Sequence, residues 1–297
     1  PGQALSWRPV RGQQWPMMTR LLLCLALLLT AAPALAQPVA ARPIVLGETF
    51  DLPSRAEGET RHITVWLPPS YAAGKAAYPV LYLLDGGEAQ DLLPVVGLAA
   101  LGGLNGVTDE MIVVGIESGP GLRLRDFTTP SEVERKQFPV QGEAARFRRF
   151  LAQELLPLVA GRYRTSGETA LMGESLAGYF VLDSALRQPD LVTTYIAVSP
   201  SIWWDDQSLV RDAATLLKAR PWPPGRKLYL SQANEGALVA GAMSRLLATL
   251  RADGPPQLAW TFRAFPQERH LTTYHPSGLE ALRWAFPGPE AEPARAP

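Results

Sequence analysis

The sequence predicts an α/β fold, with a mostly parallel central sheet and helices on both faces. Apolar runs alternate with amphipathic segments along the chain, and several of these runs are apolar at every position, as strands buried on both faces are. The 297 residues include 47% hydrophobic and 19% charged residues, which is enough apolar material for a sizeable core. We therefore expect one large domain over residues 44–287.

Strand-like segments recur through this region. Each is short and apolar, and turn residues separate it from the next element. The predicted strands are residues 44–51, 61–67, 80–84, 111–116, 170–172, 194–198, 227–230 and 258–265. Parallel strands joined by helices end at the same edge of a sheet, so we expect the chemistry at their carboxyl ends.

Helical spacing of apolar residues fills most of the gaps between these strands. It predicts helices over residues 144–160, 176–186, 208–219, 238–250 and 278–286. Pro157 lies late in the first helix and is expected to bend or end it, because proline lacks a backbone donor.

Residues 18–36 have the pattern of a signal peptide. Arg20 precedes the apolar run LLLCLALLLT, and Ala34-Leu35-Ala36 forms a cleavage site. The run is shorter than the ~20 residues of a membrane span, and an anchor helix is the alternative. We predict a periplasmic or secreted protein with no stable membrane span after cleavage. Residues 1–17 are interpreted as an upstream extension of unassigned origin, 37–43 as a linker and 288–297 as a flexible tail.

Charge and cysteine content exclude several classes of function. Lys+Arg 28 balances Asp+Glu 28, so the net charge is zero and nucleic acid is not an expected partner. Cys24 is the single cysteine and lies within the predicted signal peptide. The mature chain would therefore have no disulfide, thiol nucleophile or thiolate metal ligand. We expect no metal and no organic cofactor, and the oligomeric state stays open.

The strongest local motif is GESLAG at residues 173–178, between a predicted strand and a predicted helix. It resembles the nucleophile elbow G-x-S-x-G, in which a sharp turn exposes a serine hydroxyl above the sheet. Ala177 replaces the final glycine, and Gly178 follows one position later. Ser175 is the predicted nucleophile, and the alternative is a serine that only caps a helix.

A serine nucleophile needs a base, and the chain has three histidines. The chain order serine, acid, histidine excludes His62, which is expected on a solvated strand face. His270 follows the last strong strand and is the predicted base. His275 is expected to be a residue of the surface or of the pocket wall.

The acid that orients the histidine is expected after one of the later strands. Glu235 follows the strand at 227–230 and is the first choice. Asp205 and Asp206 compete with it, although we favour them as N-caps of a helix that begins near Gln207. A Ser-His dyad without an acid is a further alternative.

Acyl transfer also needs donors for an oxyanion. The amide that follows the nucleophile belongs to Leu176. The second donor is predicted at Gly87, because Asp85-Gly86-Gly87 follows a strand and glycine lets the backbone approach a substrate closely. The alternative is an ordinary turn at the end of a strand.

Several blocks along the chain are similar to the putative-esterase branch of the α/β-hydrolases. These blocks are RHITVWLPPSY, YPVLYLLDG, VVGIESGPGLRLRDFTTP, GESLAGYFVLDSALRQPDL, YIAVSPSIWWDD, FPQERH and LEALRWAF. The branch includes esterase D, bacterial mycolyltransferases and esterases of trilactone siderophores such as enterobactin. The resemblance implies the α/β-hydrolase fold, a small-molecule ester substrate, an oxyanion donor at Gly87 and a base at His270. Glu174 and Ala177 depart from the family, which usually has His or a similar residue before the serine and glycine at both positions after the following residue.

Two pairs of residues are further candidates for substrate binding. Arg123 and Arg125 match an R-x-R-D segment of this branch and are expected to anchor a substrate anion, or else to pair with Asp126 and fix the loop. Trp203 and Trp204 are expected to line an aromatic pocket or to lie buried near the sheet edge.

The resemblance favours an exported serine esterase that acts through an acyl-enzyme, with a siderophore trilactone as the expected substrate. Two alternatives remain open. An acyltransferase would pass the same acyl group to an alcohol instead of water. A non-catalytic binding protein of the same fold would account for Glu174 beside the serine.

Overall fold

The computed structural model describes residue 12 and residues 41–291. The chain divides into two units, Pro1–Val45 and Leu46–Pro297. The described residues of the first unit have no regular secondary structure, whereas the second unit contains all of the elements below. The predicted signal peptide and upstream extension lie outside the described residues, as does most of the predicted tail.

One eight-stranded sheet forms the centre of the second unit, in the order β1-β2-β4-β3-β5-β6-β7-β8. The β1–β2 and β2–β4 pairs are antiparallel and the other pairs are parallel. All eight predicted strands are present; β6 and β8 have the predicted bounds, and the other six have shifted ends. They are β1 Glu48–Ser54, β2 Glu59–Trp66, β3 Tyr78–Leu84, β4 Ile112–Ile116, β5 Thr165–Glu174, β6 Thr194–Val198, β7 Arg226–Ala233 and β8 Leu258–Phe265.

Both faces of this sheet are buried, as β3 shows most clearly. Tyr82 and Leu84 contribute to one apolar cluster, and Leu81 and Leu83 contribute to a second. Successive side chains of a strand point to opposite faces, so the two clusters lie on opposite sides of the sheet. This arrangement explains why the strand is apolar at every position.

Eight α-helices cover the sheet in the described part of the chain. They are α1 Leu92–Leu104, α2 Arg123–Phe127, α3 Ala144–Phe150, α4 Leu156–Arg162, α5 Leu176–Arg187, α6 Trp204–Ala219, α7 Ala237–Asp253 and α8 Tyr274–Ala285. Helices α1 and α8 supply the second apolar cluster, and α3 to α7 supply the first. Among the described helices, none combines the length and the apolar character needed to cross a bilayer.

Pro157 does not end the helical segment, which was one of the two effects predicted for it. A π-helical turn, Leu151–Leu155, joins α3 to α4, and Pro157 lies in the first turn of α4. Proline is tolerated there because the first turn of a helix has no intrahelical acceptor for its amides. The helical path therefore continues to Arg162.

Helix α1 was not predicted, although it has 13 residues. Its sequence LLPVVGLAALGGL contains no charged or polar side chain, so it lacks the polar face from which an amphipathic period is recognised. Leu93, Leu101 and Leu104 are exposed on it.

Candidate active site

Ser175 occupies a sharp turn between β5 and α5, at the carboxyl edge of the sheet. Its backbone has φ 62° and ψ −118°, a conformation that costs a non-glycine residue free energy. Its side chain makes no capping bond to the described part of α5, so the alternative of a helix-capping serine does not describe it. Its Oγ lies 3.2 Å from Oγ of Ser201 instead.

Small residues make this turn possible. A Cβ atom at Gly173 would lie 2.6 Å from Cβ of Ala177. A Cβ atom at Gly178 would lie 2.8 Å from the carbonyl oxygen of Val198 on the neighbouring strand β6. Alanine therefore fits at the position where the elbow pattern has glycine, provided that residues 173 and 178 have no side chain.

Glu235 and His270 form the pair that the sequence predicts. Oε1 of Glu235 and Nδ1 of His270 are hydrogen-bonded. The loops that carry them are tied together, because the Asn234 amide donates to the Glu268 carbonyl at 2.9 Å. Gly236 lies between Glu235 and the first residue of α7, and its φ of 86° is a conformation that favours glycine.

The charges around His270 favour its protonated form. Its pKa is raised, chiefly because its Nδ1–H donates a hydrogen bond to Glu235, while burial opposes this effect. The charges of Glu235 and Glu174 add to the increase, and Arg123 acts in the opposite direction. The Glu235 side chain is only 11% exposed, so little solvent screens its interaction with the imidazole.

A cavity of about 590 Å³ brings the candidate residues together. It is lined by Ser175, Leu176, Ser199, Pro200, Ser201, Trp203, Asn234, Glu235, Val239, Arg269 and His270. The nucleophile, base and acid candidates thus open into the same space.

Asp205 and Asp206, the alternative candidates for the acid, are not among the residues that line this cavity. Asp205 accepts a hydrogen bond from Ser131 at 2.7 Å, and Asp206 pairs with Arg211 at 2.9 Å. Asp205, Asp206 and Gln207 have positive φ, so α6 is kinked there and its regular helical backbone resumes at Ser208, where the sequence predicts a helix. The expectation that the aspartates cap this helix is wrong, because the described hydrogen bonds of their side chains go to Ser131 and Arg211 instead.

The two predicted oxyanion donors differ in availability. Leu176 is the first residue of α5, where an amide has no acceptor within the helix. The Gly87 amide donates to Oε1 of Gln90 at 3.0 Å. The same oxygen accepts from the Ser118 amide at 3.2 Å, so Gln90 connects the turns after β3 and β4.

The two candidate arginines have separate environments. Arg123 donates from Nε to Asp85 at 2.7 Å and from Nη2 to the Glu174 carbonyl at 3.2 Å, so it lies beside the nucleophile turn. Arg125 contacts Glu59 through both terminal nitrogens, at 3.0 and 2.6 Å, and Asp126 through Nε at 2.7 Å. The guanidinium of Arg125 is thus occupied in fixing the loop, which is the alternative to substrate binding that the sequence left open.

The adjacent tryptophans also have different positions. Trp203 lines the cavity, whereas Trp204 is fully buried and donates to the Thr129 carbonyl at 2.9 Å. His62 is exposed on β2 and pairs with Asp51, as a solvated strand histidine was expected to be. His275 is exposed on α8.

A cluster of carboxylates raises the question of a metal site. Within residues 41–291, Glu57, Glu59 and Asp126 alone form a group of three candidate ligands with atoms close together. Arg61 contacts Glu57 at 2.6 Å and Asp126 at 2.7 Å, and Arg125 contacts Glu59. Since arginines already neutralise the carboxylates, this group does not fit a cation.

Sequence reasoning missed two residues of this region and the burial of one atom of a third. Ser201 contacts Ser175, Gln90 accepts the hydrogen bond of the Gly87 amide, and Oε1 of Glu174 is buried. The sequence did indicate Ser201 as a candidate site residue, because the segment Ser199-Pro200-Ser201 follows strand β6 at the same sheet edge. The other two contacts depend on packing between loops.

Comparison with known proteins decides the family. The model of the Esterase family, described as "Putative esterase", matches residues 54–249, which is more than half of the chain. The chain belongs to this family. The apo-salmochelin esterase of Escherichia coli O6:H1 (strain CFT073) is 32% identical over 240 residues, which cover 75% of this chain and 74% of that protein.

Other members show how far the similarity extends. The ferri-bacillibactin esterase BesA of Bacillus subtilis (strain 168) is 33% identical over 174 residues, or 53% of this chain. The chain spans 59% of the length of that relative, less than two thirds. A solved structure of an IroE-like serine hydrolase from Shewanella oneidensis has a TM-score of 0.72 and 25% identity, with 81% of this chain and 80% of that chain covered. The fold is that of the α/β-hydrolases.

Proposed function

We propose that this member of the esterase family is a serine carboxylic-ester hydrolase that works through an acyl-enzyme. One observation carries the proposal: the Glu235–His270 pair and the strained Ser175 open into one cavity. A nucleophile, a base and an acid that orients the base are the groups that this chemistry requires.

Each residue has a defined role in the proposed reaction. Glu235 binds Nδ1 of His270, which leaves Nε2 to take the proton of Ser175. The Ser175 oxygen attacks the ester carbonyl, and His270 returns its proton to the alcohol that leaves. Water then attacks the acyl-enzyme with His270 again as base, which releases the acid and restores Ser175.

The oxyanion of each tetrahedral intermediate is assigned to the amides of Leu176 and Gly87. The Leu176 amide is at the N-terminus of α5, where the helix dipole also favours negative charge. The Gly87 amide is bonded to Gln90, so its use requires that this hydrogen bond be shared or exchanged.

The proposed substrate is the ester of a siderophore, and a trilactone is the first choice. Support comes from relatives whose names specify ferri-bacillibactin, enterobactin and salmochelin. Trp203 on the cavity wall supplies an aromatic surface, and Arg123 supplies a cation near Glu174. We keep Arg123 and Trp203 as proposed substrate-binding residues.

A fluorophosphonate probe tests the mechanism without knowledge of the substrate. We expect stoichiometric labelling of Ser175 in the folded protein, and loss of labelling and of aryl-ester hydrolysis in Ser175→Ala. Retention of full esterase activity by that variant would exclude the proposal. Turnover of a trilactone siderophore, compared with simple aryl esters, tests the substrate assignment.

Export rests on the sequence pattern of residues 18–36 and is proposed separately. Cell fractionation of the full chain should find the protein in the periplasm or the medium, shortened by cleavage after Ala36. A chain that starts at Gln37 with an initiating methionine is the control and should stay in the cytoplasm. Uncleaved, cytoplasmic full-length protein would contradict export.

A further inference from the structure

Arg123 joins the turn after β3 to the turn that carries the nucleophile. Its Nε donates to Oδ2 of Asp85 at 2.7 Å, and its Nη2 donates to the carbonyl oxygen of Glu174 at 3.2 Å. Asp85 is the first residue after β3, and Glu174 is the last residue before Ser175. One guanidinium thus contacts both turns at the same edge of the sheet.

This contact lies beyond the point where the strands hold the two turns together. The pairing of β3 with β5 ends at Leu83 and Met172. In the described part of the chain, no hydrogen bond runs directly between residues 85–87 and residues 174–176. The Gly86 amide donates instead to the Ile116 carbonyl of β4 at 2.9 Å. The bridge through Arg123 is therefore what connects the turn after β3 to the nucleophile turn.

Asp85 is held in a conformation that a side chain disfavours. Its φ is 52°, and its side chain is only 10% exposed. Its second oxygen, Oδ1, is buried and has no hydrogen-bond partner among the described residues. Glycine here would avoid both the backbone strain and the cost of a buried carboxylate. A role for the carboxylate itself, in its contact with Arg123, accounts for an aspartate at this position.

The guanidinium of Arg123 is oriented by its own helix as well. Its Cζ lies 6.0 Å from the ring centroid of Phe127, four positions later in α2, and Phe127 is buried. A guanidinium donates in fixed directions within one plane, so it can hold two acceptors at a set separation. Nη1 of Arg123 takes no part in the two hydrogen bonds described above, which leaves a donor for another group.

The two turns carry the proposed oxyanion donors. Gly87 lies two positions after Asp85, and Leu176 lies two positions after Glu174. Both amides must reach one oxygen atom to stabilise an oxyanion. A displacement of about 1 Å in such a site can cost about 10²-fold in rate. The distance between the two turns therefore bears directly on catalysis.

We propose that Asp85 and Arg123 are positioning residues for the proposed esterase reaction: their contact holds the turn after β3 beside the nucleophile turn, so that the amides of Gly87 and Leu176 meet at one oxyanion. The inference rests on the proposed function, because this oxyanion forms only if Ser175 attacks an ester. Asp85 acts through Arg123 and not on the substrate. Nη1 of Arg123 stays available for a substrate anion, so this role adds to substrate binding and does not replace it.

The test is steady-state hydrolysis of an uncharged aryl acetate, which cannot use Arg123 as an anion anchor. Asp85→Gly suits the backbone of the turn but removes the carboxylate. We expect kcat to fall about 10- to 100-fold while KM stays within about twofold of wild type, because the loss affects the transition state. Arg123→Gln should show the same division. Arg263→Gln is the matched control and should keep the wild-type kcat, since Arg263 is 40% exposed and pairs with Glu280 outside the cavity.

Conservative variants separate positioning from a structural role. Asp85→Asn keeps an acceptor and tolerates positive φ, so it should retain more kcat than Asp85→Gly. Arg123→Lys keeps the charge but cannot hold two acceptors in a fixed geometry, and it should resemble Arg123→Gln. If Asp85 only forms the turn, Asp85→Gly should match or exceed the wild type in kcat, and that result would overturn the inference. A rise in KM at constant kcat in Arg123→Gln would overturn it too.

A double-mutant cycle tests whether the two residues act as one unit. The variant that combines Asp85→Gly with Arg123→Gln should lower kcat no more than the more severe single change, because either change breaks the same contact. Effects on kcat that multiply would show that Asp85 and Arg123 act separately, which contradicts the inference.

The outcomes distinguish this inference from the proposed function. If a fluorophosphonate does not label Ser175 in the wild type, the proposed function fails first. If Ser175 is labelled and Ser175→Ala is inactive while Asp85→Gly keeps the wild-type kcat, only the positioning role is wrong. Circular dichroism establishes that each variant is folded. Should Asp85→Gly not fold, Arg123→Gln gives the same test at a side chain that is 38% exposed.

Discussion

Nδ1 of His270 and Oε1 of Glu235 are hydrogen-bonded across 35 positions of sequence, between the loops that follow β8 and β7. In Glu235→Gln an amide replaces the carboxylate and no longer stabilises the imidazolium. We expect kcat for an aryl ester to fall by about 10²- to 10⁴-fold.

Glu235→Gln should also shift the dependence of kcat/KM on pH. The Glu235 hydrogen bond raises the pKa of His270, so its removal lowers that pKa and leaves the neutral base available at lower pH. The acid limb of kcat/KM should therefore move to lower pH. Glu280→Gln, on the exposed side of α8, is the control and should match the wild type. An unchanged kcat in Glu235→Gln would leave a Ser-His dyad as the mechanism.

Ser175 provides a prediction on stability. Its φ of 62° is strained for a residue with a side chain, and glycine relieves that strain. We expect Ser175→Gly to be more stable than Ser175→Ala by about 1 kcal/mol, measured by urea denaturation. At Ser244, which is exposed within α7, the alanine variant should instead be the more stable of the two. Glycine within a helix costs about 1 kcal/mol relative to alanine. The same order at both sites would mean that the elbow is not strained.

Gly173 should tolerate no side chain. Its added methyl would lie 2.6 Å from Cβ and 2.8 Å from the carbonyl carbon of Ala177, so the elbow must open. We expect Gly173→Ala to destabilise the fold by about 1–3 kcal/mol or more and to abolish labelling of Ser175. Gly97→Ala is the control, because no atom lies within 4 Å of a methyl there and alanine favours the helix. Equal melting temperatures of the two variants would contradict the packing argument.

Arg125 should matter for stability and not for substrate binding. Its removal leaves Glu59 and Asp126 with less compensation in a site where Asp126 is 2% exposed. We expect Arg125→Met to lower the free energy of unfolding by about 3 kcal/mol, as loss of one partner of a buried ion pair does. KM of the folded fraction should stay near wild type. Arg135→Met, which removes an exposed pair with Glu132, should cost about 1 kcal/mol or less. An increase in KM without loss of stability would restore Arg125 as a substrate anchor.

The sequence alone predicted those parts of the candidate site that depend on residues close together in the chain. The elbow needs small residues within six positions, so GESLAG predicts the turn that Ser175 adopts. His270 could be selected because only three histidines exist and chain order excludes one. Glu235 follows a strand that continuous apolar character reveals.

Contacts between loops that are far apart in sequence could not be predicted from local patterns. Arg123 and Arg125 look equivalent in sequence, but residues two apart on a helix point in different directions, and α2 sends them to different partners. The hydrogen bond from Gly87 to Gln90 and the burial of Oε1 of Glu174 arise only when the turns after β3, β4 and β5 pack together.

The order of strands has a consequence for biosynthesis. Ser175 follows the central strand β5, whereas His270 follows β8, which is the last strand among the described residues and lies at one edge of the sheet. A ribosome releases Ser175 and Glu235 before His270, because synthesis proceeds from the N-terminus. In the proposed mechanism a nascent chain therefore holds its serine without an activating histidine, and hydrolysis begins only after the edge strand has docked.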